Sequence, residues 1–135
     1  MKQIIFLFFF ASLLFLSCSK EEENVEIVET VIDLTGEWTA KGFFCEVAQP
    51  DQTIGIEHDL STGEVVATKI TGDKCVPAGS VSFTAMFDGK LSIFPFVGTV
   101  GTPTNPSNAT LDGLIRVDDE NSMTAIQFDV EFTRN

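Results

Sequence analysis

The chain has a single histidine among 135 residues, and that scarcity excludes much of the chemistry a domain this size might perform. A Ser-His-Asp relay or an imidazole-rich metal site needs its histidine among converging partners. His58 stands between Glu57 and Asp59. On a strand those two carboxylates leave from the face opposite the imidazole, so His58 reads as an ordinary surface or pocket-lining residue. Basic residues are also few, 8 against 20 acids, for a formal net charge of −12. Such a chain repels a polyphosphate backbone, which excludes nucleic acid as a partner. No stretch of the domain sustains a 3.6-residue period, so no helix is expected and no Gly-rich phosphate loop can open one. Asp118, Asp119 and Glu120 are adjacent, but without the spaced oxygen ligands and turn glycine of a Ca²⁺ loop they read as a solvated hairpin tip. Acids abound, yet nothing selects two of them for glycoside hydrolysis. The expectation is a protein without metal or cofactor that binds rather than catalyses.

What is present begins at the N-terminus. Lys2 precedes an apolar run over residues 4–16, interrupted only by Ser12 and followed by Ser17 and Cys18. The run is short of the ~20 residues that span a bilayer and suits the central region of a secretory signal. Phe15-Leu16-Ser17-Cys18 resembles the bacterial lipobox, whose cysteine is acylated and becomes the first residue of the mature chain. Phe15 stands where that motif usually has an aliphatic residue. Ser19-Lys20-Glu21-Glu22-Glu23 resembles the Lys-acidic-acidic export signal of Bacteroidota lipoproteins, which implies passage to the cell-surface face of the outer membrane. The acidic run would also keep a tether extended by self-repulsion. The expected organisation is a signal peptide over 1–17, a lipidated acidic tether over 18–34 held to a membrane by its lipid, and a domain over 35–135. Losing the leader removes Lys2 and no acid, leaving 7 basic and 20 acidic residues and a formal charge of −13.

Three cysteines would leave one unexplained in an exported protein. If Cys18 carries lipid, Cys45 and Cys75 remain as a pair in an oxidising compartment, where a disulfide would stabilise the domain by roughly 3 kcal/mol. Thirty positions apart, they lack the Cys-x-x-Cys spacing of a redox-active pair.

Beyond the tether the dominant signal is alternation. Ile126, Phe128, Val130 and Phe132 are separated by Gln127, Asp129 and Glu131, which predicts one strand with a buried and a wet face. Val81, Phe83, Ala85 and Phe87 repeat the pattern, and Asp88-Gly89 predicts a hairpin turn into a strand over 90–96. Further strands are predicted over 37–47, 53–59, 64–70 and 109–117, joined by Ser61-Thr62-Gly63, Thr71-Gly72-Asp73 and the acidic tip at 118–121. Residues 25–34 have the composition of a possible first strand, and a Gly, Pro, Thr and Asn cluster over 97–108 predicts a long loop. Seven or eight short antiparallel strands in about 100 residues mean one modest core, in a small barrel or a sandwich.

Leu34-Thr35-Gly36-Glu37-Trp38 favours the barrel, because Gly-x-Trp at the start of the first strand resembles the lipocalin-like pattern in which the Trp closes one end. A longer resemblance lies at residues 67–83, ATKITGDKCVPAGSVSF. This is similar to the Thr-Lys-Ile-Thr-Gly-Asp-x-x-Val-Pro-Ala-Gly-x-Val-x-Phe signature in the β-barrel of certain eukaryotic F-box substrate receptors and of the plastid EXECUTER proteins. It covers 17 of 135 residues and implies a lipocalin-like barrel. In the F-box relatives that barrel recognises the C-terminal end of a client protein, which would place Lys69 and Asp73 near a pocket. This chain departs from them in having no F-box, an exported setting, and Cys75 at a variable position.

The same residues have a purely architectural reading. Gly72 can take a positive backbone angle, Asp73 can accept hydrogen bonds from nearby amides, and Pro77-Ala78-Gly79 fixes a second bend. Lys69 shares a face with Val65 and Ala67 and opposes Val66, Thr68 and Ile70, so periodicity leaves its direction open. An inward Lys69 would be a buried cation needing a partner, and a ligand carboxylate would suit. Phe43, Phe44, Phe83, Phe87, Phe94, Phe96, Phe128 and Phe132 read as core, since side chains largely fill a barrel of this size. The ligand-binding candidates are therefore Lys69, Asp73 and Trp38. The ligand expected is a small amphiphile in the barrel mouth or a peptide terminus, and the other possibility is a structural or accessory subunit of an outer-membrane assembly.

Overall fold

The structure, a computed structural model, describes residues 29–135 except 46, 49, 50 and 91. The leader over 1–17, Cys18 and the acidic run over 19–23 lie outside the described residues. The described chain forms strands β1 (Gly36–Lys41), β2 (Phe43–Phe44), β3 (Val47–Ala48), β4 (Gln52–Asp59), β5 (Glu64–Lys69), β6 (Val81–Met86), β7 (Ile93–Thr102), β8 (Asn105–Asp119), β9 (Ser122–Ala125) and β10 (Val130–Arg134). Eight of them close an antiparallel barrel in the order β1-β10-β9-β8-β7-β6-β5-β4, and β2 and β3 make a separate two-stranded sheet. This is a small all-β barrel, consistent with the lipocalin-like one that the resemblances imply, where alternation alone leaves a barrel or a sandwich open. Closure runs through β1, where Trp38 lies opposite Arg134 of β10 on one side and Ile54 of β4 on the other.

Several elements differ from expectation. Of the strand predicted over 126–132, only residues 130–132 are strand, at the start of β10, because residues 126–129 form a turn in which Asp129 takes a φ of 51°. Ile126 and Phe128 are consequently exposed by 42% and 37% rather than buried. The loop predicted over 97–108 is instead the long β7–β8 hairpin, whose pairing continues to Thr102↔Asn105. The strand predicted over 37–47 breaks after Lys41, and Asp88-Gly89 opens a longer connection, with the next strand starting at Ile93. Of the possible first strand, residues 25–28 lie outside the described residues and 29–34 form no strand. Ile32 and Leu34 nevertheless pack into the core, 7% and 0% exposed, so the folded unit begins slightly before residue 35.

Alternate side chains along each strand point inward, as a pleated ribbon requires. On β4 these are Gln52, Ile54, Ile56 and His58, and on β5 they are Val65, Ala67 and Lys69. Lys69 therefore faces the interior. The size of the inward residues changes along the barrel. Near one end stand Trp38, Phe87, Phe94, Val117 and Met123, capped by Ile32 and Leu34. Burying each large apolar side chain contributes roughly 1.5–3 kcal/mol. Towards the other end the inward positions of β1, β7 and β9 hold Ala40, Gly98 and Ala125. These three small residues border one space that their neighbours do not fill.

Candidate functional site

That space is a cavity of about 320 Å³ at the small-residue end, with Ala40, Gly98 and Ala125 in its wall. Its size is at the lower edge of the ~300–1,000 Å³ range of ligand pockets. Phe83 lies at its base, edge-on to Phe96 and Phe132 with ring centroids 5.7 and 5.9 Å apart. Phe96 can lean across because β8 presents Gly113 opposite it, where a Cβ would overlap the ring. Phe128 stands on the turn between β9 and β10, half-exposed, with its ring 6.1 Å from Phe96 and nearly perpendicular to it. It lines the cavity while still reaching solvent.

The polar part of the wall comes from the end of β5 and the loop after it. Lys69 and Asp73 both line the cavity, with Nζ and Oδ2 3.5 Å apart and both side chains only 3% exposed. Lys69 Nζ also donates to Gln52 Oε1 at 3.2 Å. The other Asp73 oxygen, Oδ1, accepts from the backbone N–H groups of Cys75 and Val76, each at 2.7 Å. Asp73 is thus a loop-forming residue with one oxygen and a counter-ion with the other. Burial pulls the Lys69 ammonium below its ordinary value, and the Asp73 carboxylate opposes that shift. The partner required by an inward lysine is supplied within the chain.

The loop holding Asp73 is fastened from three sides. Gly79, at a φ of 83°, turns the chain so that its N–H donates to Lys69 O at 2.8 Å, and Lys69 N donates to Ser80 O at 2.9 Å. Gly72 serves differently from the expectation: its φ is not positive, but a Cβ there would run into Ala78 and Pro77. Cys75 is bonded to Cys45, with Cα atoms 5.3 Å apart, and both sulfur residues line the cavity. Finally, Ser107 on β8 donates its N–H to Cys75 O at 2.9 Å. Gly101 lies under that link, where any Cβ would meet Ser107 N and Cys75 O. The ligand atoms of Cys45, Asp73 and Cys75 come within 4.8 Å of one another, but sulfurs joined as a disulfide offer no thiolate to a metal.

Two expected residues lie elsewhere. Trp38 is fully buried at the large-residue end, donates Nε1–H to Leu34 O at 2.9 Å, and carries the Arg134 guanidinium 4.7 Å from its ring centre. It closes that end, as its resemblance implies, and does not line the cavity. His58, expected as an ordinary surface or pocket-lining residue, is a core residue, 8% exposed. Its Nδ1 accepts from Leu34 N at 3.2 Å, and its Nε2 lies 3.1 Å from Phe87 O, to which it donates. Glu57 and Asp59 do leave from the opposite face, both exposed. Sequence reasoning missed Gln52, although Gln52, Ile54, Ile56 and His58 recur every second position and could have placed it inward. It also missed the cavity wall, whose signal is the smallness of Ala40, Gly98 and Ala125, legible only once the strand order is known. The chain matches no family model, no curated protein and no solved structure.

Proposed function

We propose that this protein is a lipid-anchored binding module, displayed at the outer membrane through acylated Cys18, that takes a small amphiphile into the open end of its barrel. The observation carrying this reading is an aromatic-walled cavity with one polar edge at Lys69 and Asp73. Its apolar wall suits a hydrocarbon or ring, and its polar edge suits a head group. The lone histidine stands at the far end of the barrel, held by Leu34 and Phe87.

The test is native mass spectrometry and probe titration of the mature chain, residues 18–135, carrying Cys18→Ser. A copurifying small molecule or saturable uptake of a naphthyl probe is expected. Ala40→Leu, which fills the cavity from β1, should abolish uptake while leaving the fold intact. Uptake unchanged by Ala40→Leu would place the ligand elsewhere. For the anchor, an acyl mass on Cys18 in the full-length protein is expected, and an unmodified thiol there would remove it.

A second reading, an accessory subunit of an outer-membrane assembly, is favoured by apolar residues outside the barrel. Met86, Ile93, Val97 and Leu114 are each exposed by 38–59% on neighbouring strands, with Pro95 paired to Leu114. A photo-crosslinking residue at position 114 would form a discrete protein adduct on cells if that face is covered, and none if the protein acts alone.

A further inference from the structure

The cavity's polar edge is charged but electrically balanced. Among the described residues, Lys69 and Asp73 are the only ionisable side chains lining it, they face each other at 3.5 Å, and each has a further partner within the chain. We infer that the cavity selects an amphiphile whose buried head group is uncharged and both donates and accepts a hydrogen bond, as an alcohol does, and that it rejects carboxylates and ammonium groups. This inference rests on the binding reading above and narrows it.

A carboxylate brought to this edge would be drawn to Lys69 Nζ and repelled by Asp73 Oδ2 a few ångströms away. The two effects largely cancel, while the ligand still loses the hydration of its own charge. The mature chain's formal charge of −13 adds a field of the wrong sign. An ammonium head is drawn to Asp73 Oδ2 and repelled by Lys69 Nζ, and the negative field that favours its approach does not restore the hydration it loses on burial. A hydroxyl suffers neither, because it can donate to Asp73 Oδ2 and accept from Lys69 Nζ at the same time. Charge-assisted hydrogen bonds of this kind are the stronger ones, and the ion pair survives intact. The carboxylate expected of a ligand beside an inward lysine is thus the group this edge disfavours.

Dimensions and wall point to the other half of the ligand. About 320 Å³ corresponds to about ten water volumes at ~30 Å³ each, room for a fused bicyclic ring with a short arm. The edge-to-face rings of Phe83, Phe96, Phe128 and Phe132 suit a flat aromatic or a compact hydrocarbon.

The experiment compares three probes of one shape, 2-naphthylmethanol, 2-naphthoate and 2-naphthylmethylammonium, by calorimetric titration of the mature Cys18→Ser chain at pH 7. The alcohol should bind at least ten-fold tighter than either ion. In Asp73→Asn, whose amide oxygen can still accept from Cys75 and Val76, the naphthoate should overtake the alcohol. In Lys69→Met the ammonium probe should gain instead. A wild-type preference for either ion overturns this inference and leaves the binding reading standing, whereas no uptake of any probe overturns both. The wild-type ranking alone decides the matter if a variant fails to fold.

Discussion

The two ends of this barrel are built from the same strands and the same alternation, yet one is solid and the other hollow. At the solid end, Trp38, Phe87, Phe94 and Met123 fill the interior, and the buried polar side chains there are held by the protein itself: Trp38 Nε1 on Leu34 O, His58 between Leu34 N and Phe87 O. At the hollow end, the same inward positions hold Ala40, Gly98 and Ala125, and a lysine and an aspartate are buried together. The difference teaches that tight packing and open space are spatially divided. Large apolar residues at one level hold the barrel closed, which allows small residues and a buried ion pair at the other.

The division can be broken most forcefully at the solid end. Trp38→Ala should lower unfolding stability by about 3–5 kcal/mol, read by urea denaturation of the mature chain. A loss below about 1 kcal/mol, typical of an exposed surface site, would mean the solid end does not dominate stability. Replacing Cys45 and Cys75 together by serine should cost about 2–4 kcal/mol. It should also abolish probe uptake, because the bond fastens the loop that carries Asp73. A smaller effect is expected with pH. Since burial lowers the Lys69 pKa from 10.5, the unfolded chain binds more protons than the folded one between the folded value and 10.5. Stability should therefore rise with pH across that window. The Lys69→Met/Asp73→Asn variant should flatten the rise, and an unchanged slope would show that the lysine is not held below its ordinary value. The smallest change in stability, under about 1 kcal/mol, is expected for half-exposed Phe128→Ala, accompanied by a several-fold loss of probe affinity. Unaltered affinity would remove Phe128 from the site.

Much of this architecture is legible before folding. The strands over β4, β5 and β6 follow from alternation, and the cysteine pair follows from the count. The corner at Lys69 and Asp73 follows from Gly, Pro and Asp in turn-forming order. The failures share a cause, which is that a two-residue period carries no stop signal. Ile126 and Phe128 continue the alternation of Val130 and Phe132 through a turn that depends on the unusual backbone of Asp129. Gly, Pro and Thr on the β7–β8 hairpin read as loop because they lack the β-branched bulk of a buried strand, yet cross-strand pairing holds them extended. Neither the direction of Lys69 nor the cavity could be read locally. The first depends on which face of β5 turns inward, and the second on strands 27 or more residues apart in the chain bordering one space.

Arg134, the penultimate residue, reaches across the solid end to donate to the backbone oxygens of Asp33 and Thr35, while Ile32 N donates to Gly89 O at 2.7 Å. The polypeptide therefore joins the barrel at its sealed pole. If Cys18 carries the proposed acyl anchor, the sealed pole would sit nearest the bilayer and the aromatic mouth would look outward into the medium. Drag on the leash would then be borne by the last strand and the Trp38 plug, sparing the mouth from deformation.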